Sequence, residues 1–182
     1  MRKLLYATIT TLDGFENNTF VGRVEDTHAV FNRQFAASDA IIFDHENHEL
    51  LVPYWDELDL DAPDIVPVQR EFAELFRAKP RYVFDSRREL EPLATALDGA
   101  AHERIAELKA QPGSQLLLAT GPALFQTCLE HNLVDEIEVL INPIIAGQGE
   151  PALGVSTAAR TLRLLETRAL EGGPIVARYA VT

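Results

Sequence analysis

The sequence predicts an α/β fold, with a mixed, mostly parallel sheet, helices on both faces and an antiparallel hairpin at the C-terminal end. Short strand-like runs alternate with helical patterns as far as His131. That alternation implies parallel strands joined by helices. Beyond it, Arg160–Leu170 and Ile175–Val181 are separated by only Glu171-Gly172-Gly173-Pro174. No helix fits in that gap, so those two strands must run antiparallel. Ala40-Ile41-Ile42-Phe43 is apolar at every residue, as in a strand covered on both faces.

The elements follow in order. Leu4 to Thr10 alternates and ends in β-branched residues, so it reads as a strand. Leu12-Asp13-Gly14-Phe15 and Asn17-Asn18 form a turn and loop. Val24 to Ala37 carries Ala29, Val30, Phe31, Phe35 and Ala36 on a helix face. Ala40–Phe43 is the second strand. Asp44 to Pro67 is the least regular stretch, and Pro63 and Pro67 oppose a long helix through its end. Gln69 to Ala78 is helical through Phe72, Leu75 and Phe76, and Arg81–Phe84 is a third strand. A helix is expected over Gly99–Ala110, a strand over Gln115–Ala119, a helix over Pro122–His131 and a strand over Val134–Ile141. No repeat or linker divides residues 1–182, so one domain is expected.

Composition narrows the partners. The 182 residues are 47% hydrophobic and 24% charged, with a formal net charge of −12. That balance argues against nucleic acid and anionic membranes as partners, since both need a basic patch. The single cysteine allows no internal disulfide, which fits a reducing cytosol. The opening Met1–Tyr6 run breaks at Thr8 and Asp13, too soon for a signal peptide. A cytoplasmic protein acting on a small molecule is the expectation.

The stretch from Leu116 to Phe125 carries the most chemistry. An apolar run stops at Thr120-Gly121, and a helical pattern starts at Pro122. A helix that starts straight after a strand presents unpaired amides at its partially positive end. A phosphate can dock there, and a glycine lets it approach the backbone. The alternative is a plain turn. Other residues have similarly divided readings. Asp13 either helps deliver a proton or bonds its own turn. Tyr54 and Trp55 either wall a flat ring or pack in the core. His45 and His48 are spaced three apart, which does not match the usual paired-His zinc spacing, and no metal is expected. Cys128 reads as a buried, inert thiol.

Three blocks resemble a known family: Arg2-Lys3-Leu4 through Thr11-Leu12-Asp13-Gly14-Phe15; Leu129-Glu130-His131-Asn132-Leu133-Val134-Asp135-Glu136-Ile137; and Asn142-Pro143 through Gly147-Gln148-Gly149. Together they resemble the dihydrofolate-reductase-like family that includes the reductase domain of riboflavin biosynthesis. The resemblance implies a three-layer fold, NADPH as hydride donor and a small heterocyclic or related acceptor. It implies cofactor contacts from Thr120, Gly121, Pro122, Ala123 and Leu124, with His45, Ser86 and Arg87 near the phosphates. It places Gly14 and Phe15 beside the substrate, where Trp55 is a candidate wall, with Asp13 as the candidate catalytic group. It also implies a homodimer, which would cover the edge of the late hairpin.

The chain departs from that pattern. Relatives carry Gly-Arg-x-Thr after the second strand, whereas this chain has Asp44-His45-Glu46-Asn47. Like charges ~4 Å apart at an effective dielectric of ~20 cost about 4 kcal/mol before screening, so Asp44 opposes a phosphate. At the fourth turn Ala119-Thr120-Gly121 keeps one glycine and lacks the glutamate of the riboflavin enzymes, so their pyrimidine is not the expected substrate. The Ser-Arg pair after the third strand is shifted by one, to Ser86-Arg87 behind Asp85. Two functions follow: an NADPH-dependent reductase of a small heterocycle, or a non-catalytic or altered-ligand member with a degenerate cofactor site.

Overall fold

A computed structural model describes residues 1–17, 22–84, 90–156 and 158–182. The strands are β1 (Lys3–Thr11), β2 (Ala40–Phe43), β3 (Arg81–Phe84), β4 (Ala94–Leu97), β5 (Gln115–Leu118), β6 (Glu136–Asn142), β7 (Leu162–Ala169) and β8 (Ile175–Val181). The helices are α1 (Val24–Ala37), α2 (His45–Glu57), α3 (Pro67–Ala78), α4 (Ala101–Ala110) and α5 (Pro122–Glu130). The strands form one sheet in the order β4-β3-β2-β5-β1-β6-β8-β7. Pairing is parallel from β4 to β6, and β8 is antiparallel to both β6 and β7. The mixed sheet with its antiparallel end is therefore as expected.

Side-chain alternation sorts the helices. Leu4, Tyr6, Ile42, Leu116 and Leu118 pack with Ile105 of α4 and Phe125 and Cys128 of α5. Leu5, Ile41, Phe43 and Leu117 point the other way, onto Phe35 of α1, Trp55 of α2 and Phe72 and Phe76 of α3. Successive residues of a strand face opposite sides, so the central strands feed two cores and the fold has three layers. Cys128 is buried, and burial pushes its thiol up to about 12, which leaves it unreactive.

The expected irregular stretch is corrected: residues 45–57 form α2. Asp44 caps it by accepting the Asn47 N–H, and His48, Val52 and Trp55 make its buried stripe. Pro53 masks this pattern in the sequence. It lies inside the helix and forfeits one backbone bond there, while the buried stripe holds the helix. Pro67, read as a helix breaker, is the first residue of α3, where its missing N–H costs nothing. The fourth helix starts at Ala101 rather than Gly99. β4, a short edge strand with two exposed residues, has no clear pattern in the sequence. No helix among the described residues is long and apolar enough to cross a membrane.

Candidate active site

The parallel strands β2, β5 and β1 end along one edge of the sheet, and a cavity of about 430 Å³ opens there on the α1–α3 side. Ala7, Ile9, Leu117 and Ala119 make its floor. α1 contributes His28, Phe31 and Phe35; α2 contributes Leu51 and Trp55; α3 contributes Phe72 and Phe76. Phe72 is the hub of the walls, with ring centroids 4.5 Å from Trp55, 4.8 Å from Phe35 and 5.4 Å from His28. Glu16, Asn47 and Thr120 supply polar groups to the lining. An apolar, aromatic cavity with a few polar groups suits a flat organic molecule.

Burial lowers the His28 pKa below its ordinary range, so the folded form holds the neutral ring. Unfolded, the ring titrates near ~6.5. The folded state binds this proton only at lower pH, so the associated stability is complete above about 6.5 and is lost as pH falls below it. The melting temperature should therefore drop between pH 7.5 and 5.5, and His28→Gln should drop less over the same range. Glu16 is displaced upward, first by burial and then by Glu150 and Asp44. Its carboxyl thus keeps its proton to higher pH than an ordinary glutamate.

The turn between β5 and α5 adjoins this cavity. Gly121 precedes Pro122, the first residue of the helix. Its N–H donates to Asp44 Oδ2 at 2.8 Å. The other oxygen, Oδ1, accepts the Asn47 N–H at 2.8 Å and the Asn47 side-chain amide at 3.0 Å. A Cβ built on Gly121 would stand 3.5 Å from Asp44 Oδ2. The carboxylate therefore sits where a phosphate would reach this amide. His45, the expected stand-in for the family's arginine, faces Glu49 at 3.4 Å. The residues at this turn do not fit the diphosphate of a dinucleotide in the manner the family pattern implies.

The expected site residues separate into groups. Trp55 and Thr120 line the cavity. Gly121, Pro122, Ala123 and Leu124 lie at the adjoining turn and the first turn of α5, with Pro122 buried. Asp13, Gly14 and Phe15 are not among the lining residues. Asp13 accepts the Thr11 hydroxyl at 2.6 Å and the Gly147 and Ala146 N–H groups at 2.7 and 3.1 Å. These bonds, the Thr11 hydroxyl first, pull its carboxyl down to about 2. A group held that low is ionised at physiological pH and has no proton to give. Gly14 accepts the Ala152 N–H through its carbonyl, and Phe15 pairs with Pro151. Both tie the loop after β1 to the segment near residue 150. Ser86 and Arg87 lie outside the described residues.

Sequence reasoning missed Glu16, His28 and Phe72 as lining groups. His28 could have been found, because it stands three residues before Phe31 and seven before Phe35 on one face of α1. Glu16 carries no signal of its own, since tertiary folding alone brings it to the cavity.

The model of the RibD C-terminal domain family matches residues 2–176, and the chain belongs to that family. The Bacillus subtilis (strain 168) protein YyaP, itself uncharacterized, is 25% identical over 182 residues, covering 98% of this chain and 94% of YyaP. The crystal structure of a Shewanella sp. PV-4 protein assigned to riboflavin biosynthesis is similar with a TM-score of 0.74 at 17% identity, covering 99% of both chains. Acinetobacter baumannii RibD is similar with a TM-score of 0.64 at 17% identity, over all of this chain and 58% of that one. At those identities the two structures attest the fold, and the family match attests the kinship.

Proposed function

We propose that this chain is an altered-ligand member of the reductase family, which binds a flat heterocyclic small molecule in the aromatic cavity. The observation that carries the reading is the Asp44–Gly121 bond beside that cavity. It occupies the amide that a diphosphate needs, beside aromatic walls that suit a flat ring. Neutral His28 and the protonatable Glu16 give the ring polar groups to orient against. Family kinship supports the second reading, an NADPH-dependent reductase of a small heterocycle.

Fluorescence separates the two readings. Trp55 is the chain's one tryptophan and lines the cavity, so its emission reports occupancy. Flat heterocycles such as proflavine or lumichrome should quench it saturably, while NADPH should show no saturable binding into the millimolar range. Tight NADPH binding would overturn the altered-ligand reading and favour the reductase one. Homodimer formation belongs to the same proposal. β7 is the terminal strand of the sheet and exposes Leu164 and Leu165, and pairing would cover that edge. Sedimentation of the pure chain reads it.

A further inference from the structure

β2 and β5 are neighbours in the sheet, and they send their helices to opposite faces. α2 packs with the Leu5 and Phe43 core, and α5 packs with the Leu4 and Tyr6 core. Such a point leaves a crevice at the carboxyl edge of a parallel sheet. Two helix N-termini meet in this one, α2 behind Asp44 and α5 behind Gly121. Both ends carry unpaired amides and partial positive charge, so an anion in the crevice is favoured by both. The chain supplies that anion itself. One oxygen of Asp44 is held by Asn47 at the start of α2, and the other by Gly121 at the start of α5.

The crevice is continuous with the cavity. Asn47, which grips Asp44 through both its backbone and its side chain, lines the cavity, as does Thr120, the residue before Gly121. Glu16 lines it too and feels the negative charge of both Asp44 and Glu150. Glu16 is thus the carboxylate of the lining, with Asp44 and Glu150 outside the lining but within its electrostatic reach.

We propose that Asp44 is the specificity-determining residue of this cavity: its carboxylate is the resident anion of the β2–β5 crevice, and it admits flat ring compounds without a phosphate while turning away those that carry one. The inference rests on the reading of the cavity as a ring-binding site, but its test does not depend on finding that ring compound.

The test is calorimetric titration of the full chain with adenosine diphosphate, comparing wild type, Asp44→Ser and Asp44→Asn. Serine keeps a good cap on α2 and is too short to reach the Gly121 amide, so it vacates the seat. Asparagine keeps the shape and removes the charge. Wild type should show no saturable binding into the millimolar range. Asp44→Ser should bind at least about tenfold more tightly than wild type, as expected when a close like charge is removed and a donor is freed. Asp44→Asn should fall between them. Equal binding by wild type and Asp44→Ser overturns the proposal. If the serine variant does not fold, the asparagine variant decides, and no gain there overturns it as well. Failure of flat heterocycles to quench Trp55 would count against the proposed function alone and leave this comparison intact.

Discussion

Replacing Arg81 with methionine should destabilise the fold by about 3 kcal/mol, at the lower end of the range for breaking a buried ion pair. Arg81 is 2% exposed. It forks onto Asp56 with two bonds of 2.8 Å, reaches Glu91 at 2.7 Å and donates to the Phe76 carbonyl at 3.1 Å. Its guanidinium also lies over the Phe76 ring, 4.6 Å from the centroid. Methionine fills much of the volume but strands two carboxylates. The lower end applies because Asp56 and Glu91 keep some contact with water, at 28% and 20% side-chain exposure. In a chain of this size each kcal/mol shifts melting by roughly 2–4 °C, so a scan should show a fall of about 6–12 °C. The same cluster anchors the site, because Asp56 lies near the end of α2 and Glu91 bonds His48 near its start. α2 should loosen and ligand binding weaken with it.

The Arg81 cluster also sets an acid limit. Burial, the largest single influence on Glu91, would raise it, but the hydrogen bonds from Arg81, its own backbone and His48 together outweigh burial and hold the carboxyl below its ordinary range. A depressed carboxylate contributes stability above its unfolded value of ~4.3, and that contribution is lost as pH falls through the folded one. The loss of stability below about pH 4 should therefore be shallower in Arg81→Met than in wild type.

Phe72→Ala should cost about 3–5 kcal/mol, the usual range for emptying a phenylalanine site in a core. Phe72 is buried and touches the rings of His28, Phe31, Phe35, Trp55 and Phe76. α1, α2 and α3 meet on it, so no one helix can shift to fill the gap. The cavity should lose its wall, and quenching of Trp55 by flat heterocycles should disappear. Phe72→Leu keeps most of the packing and should cost less, with binding weakened rather than lost. Denaturant melts and the Trp55 titration measure both effects. A small stability change in Phe72→Ala would mean that the three helices do not depend on this ring.

The sheet was largely legible in the sequence because its signal is local. Val24–Ala37, Ala40–Phe43, Arg81–Phe84 and Ile175–Val181 match their elements residue for residue. The four-residue gap between the last two strands left no topology other than a hairpin. α2 was hidden because Pro53 sits inside it, and its stripe of His48, Val52 and Trp55 is broken by polar neighbours. The site was legible in part. Asp44 stood out as an acid in place of a glycine, and Gly121 as a turn before a helix. That one holds the other depends on β2 lying beside β5, although 77 positions separate the two residues. The cavity depends on the same long-range order, since its walls come from three helices and its floor from two strands.

The central claim is that the Gly121 amide is held by the protein's own carboxylate and is closed to a cofactor. A crystal of the chain soaked in NADPH tests it most directly. Asp44 Oδ2 should still lie about 2.8 Å from the Gly121 nitrogen, with no diphosphate density at the turn. Diphosphate density on the Gly121 amide, with the Asp44 side chain swung away, would contradict it.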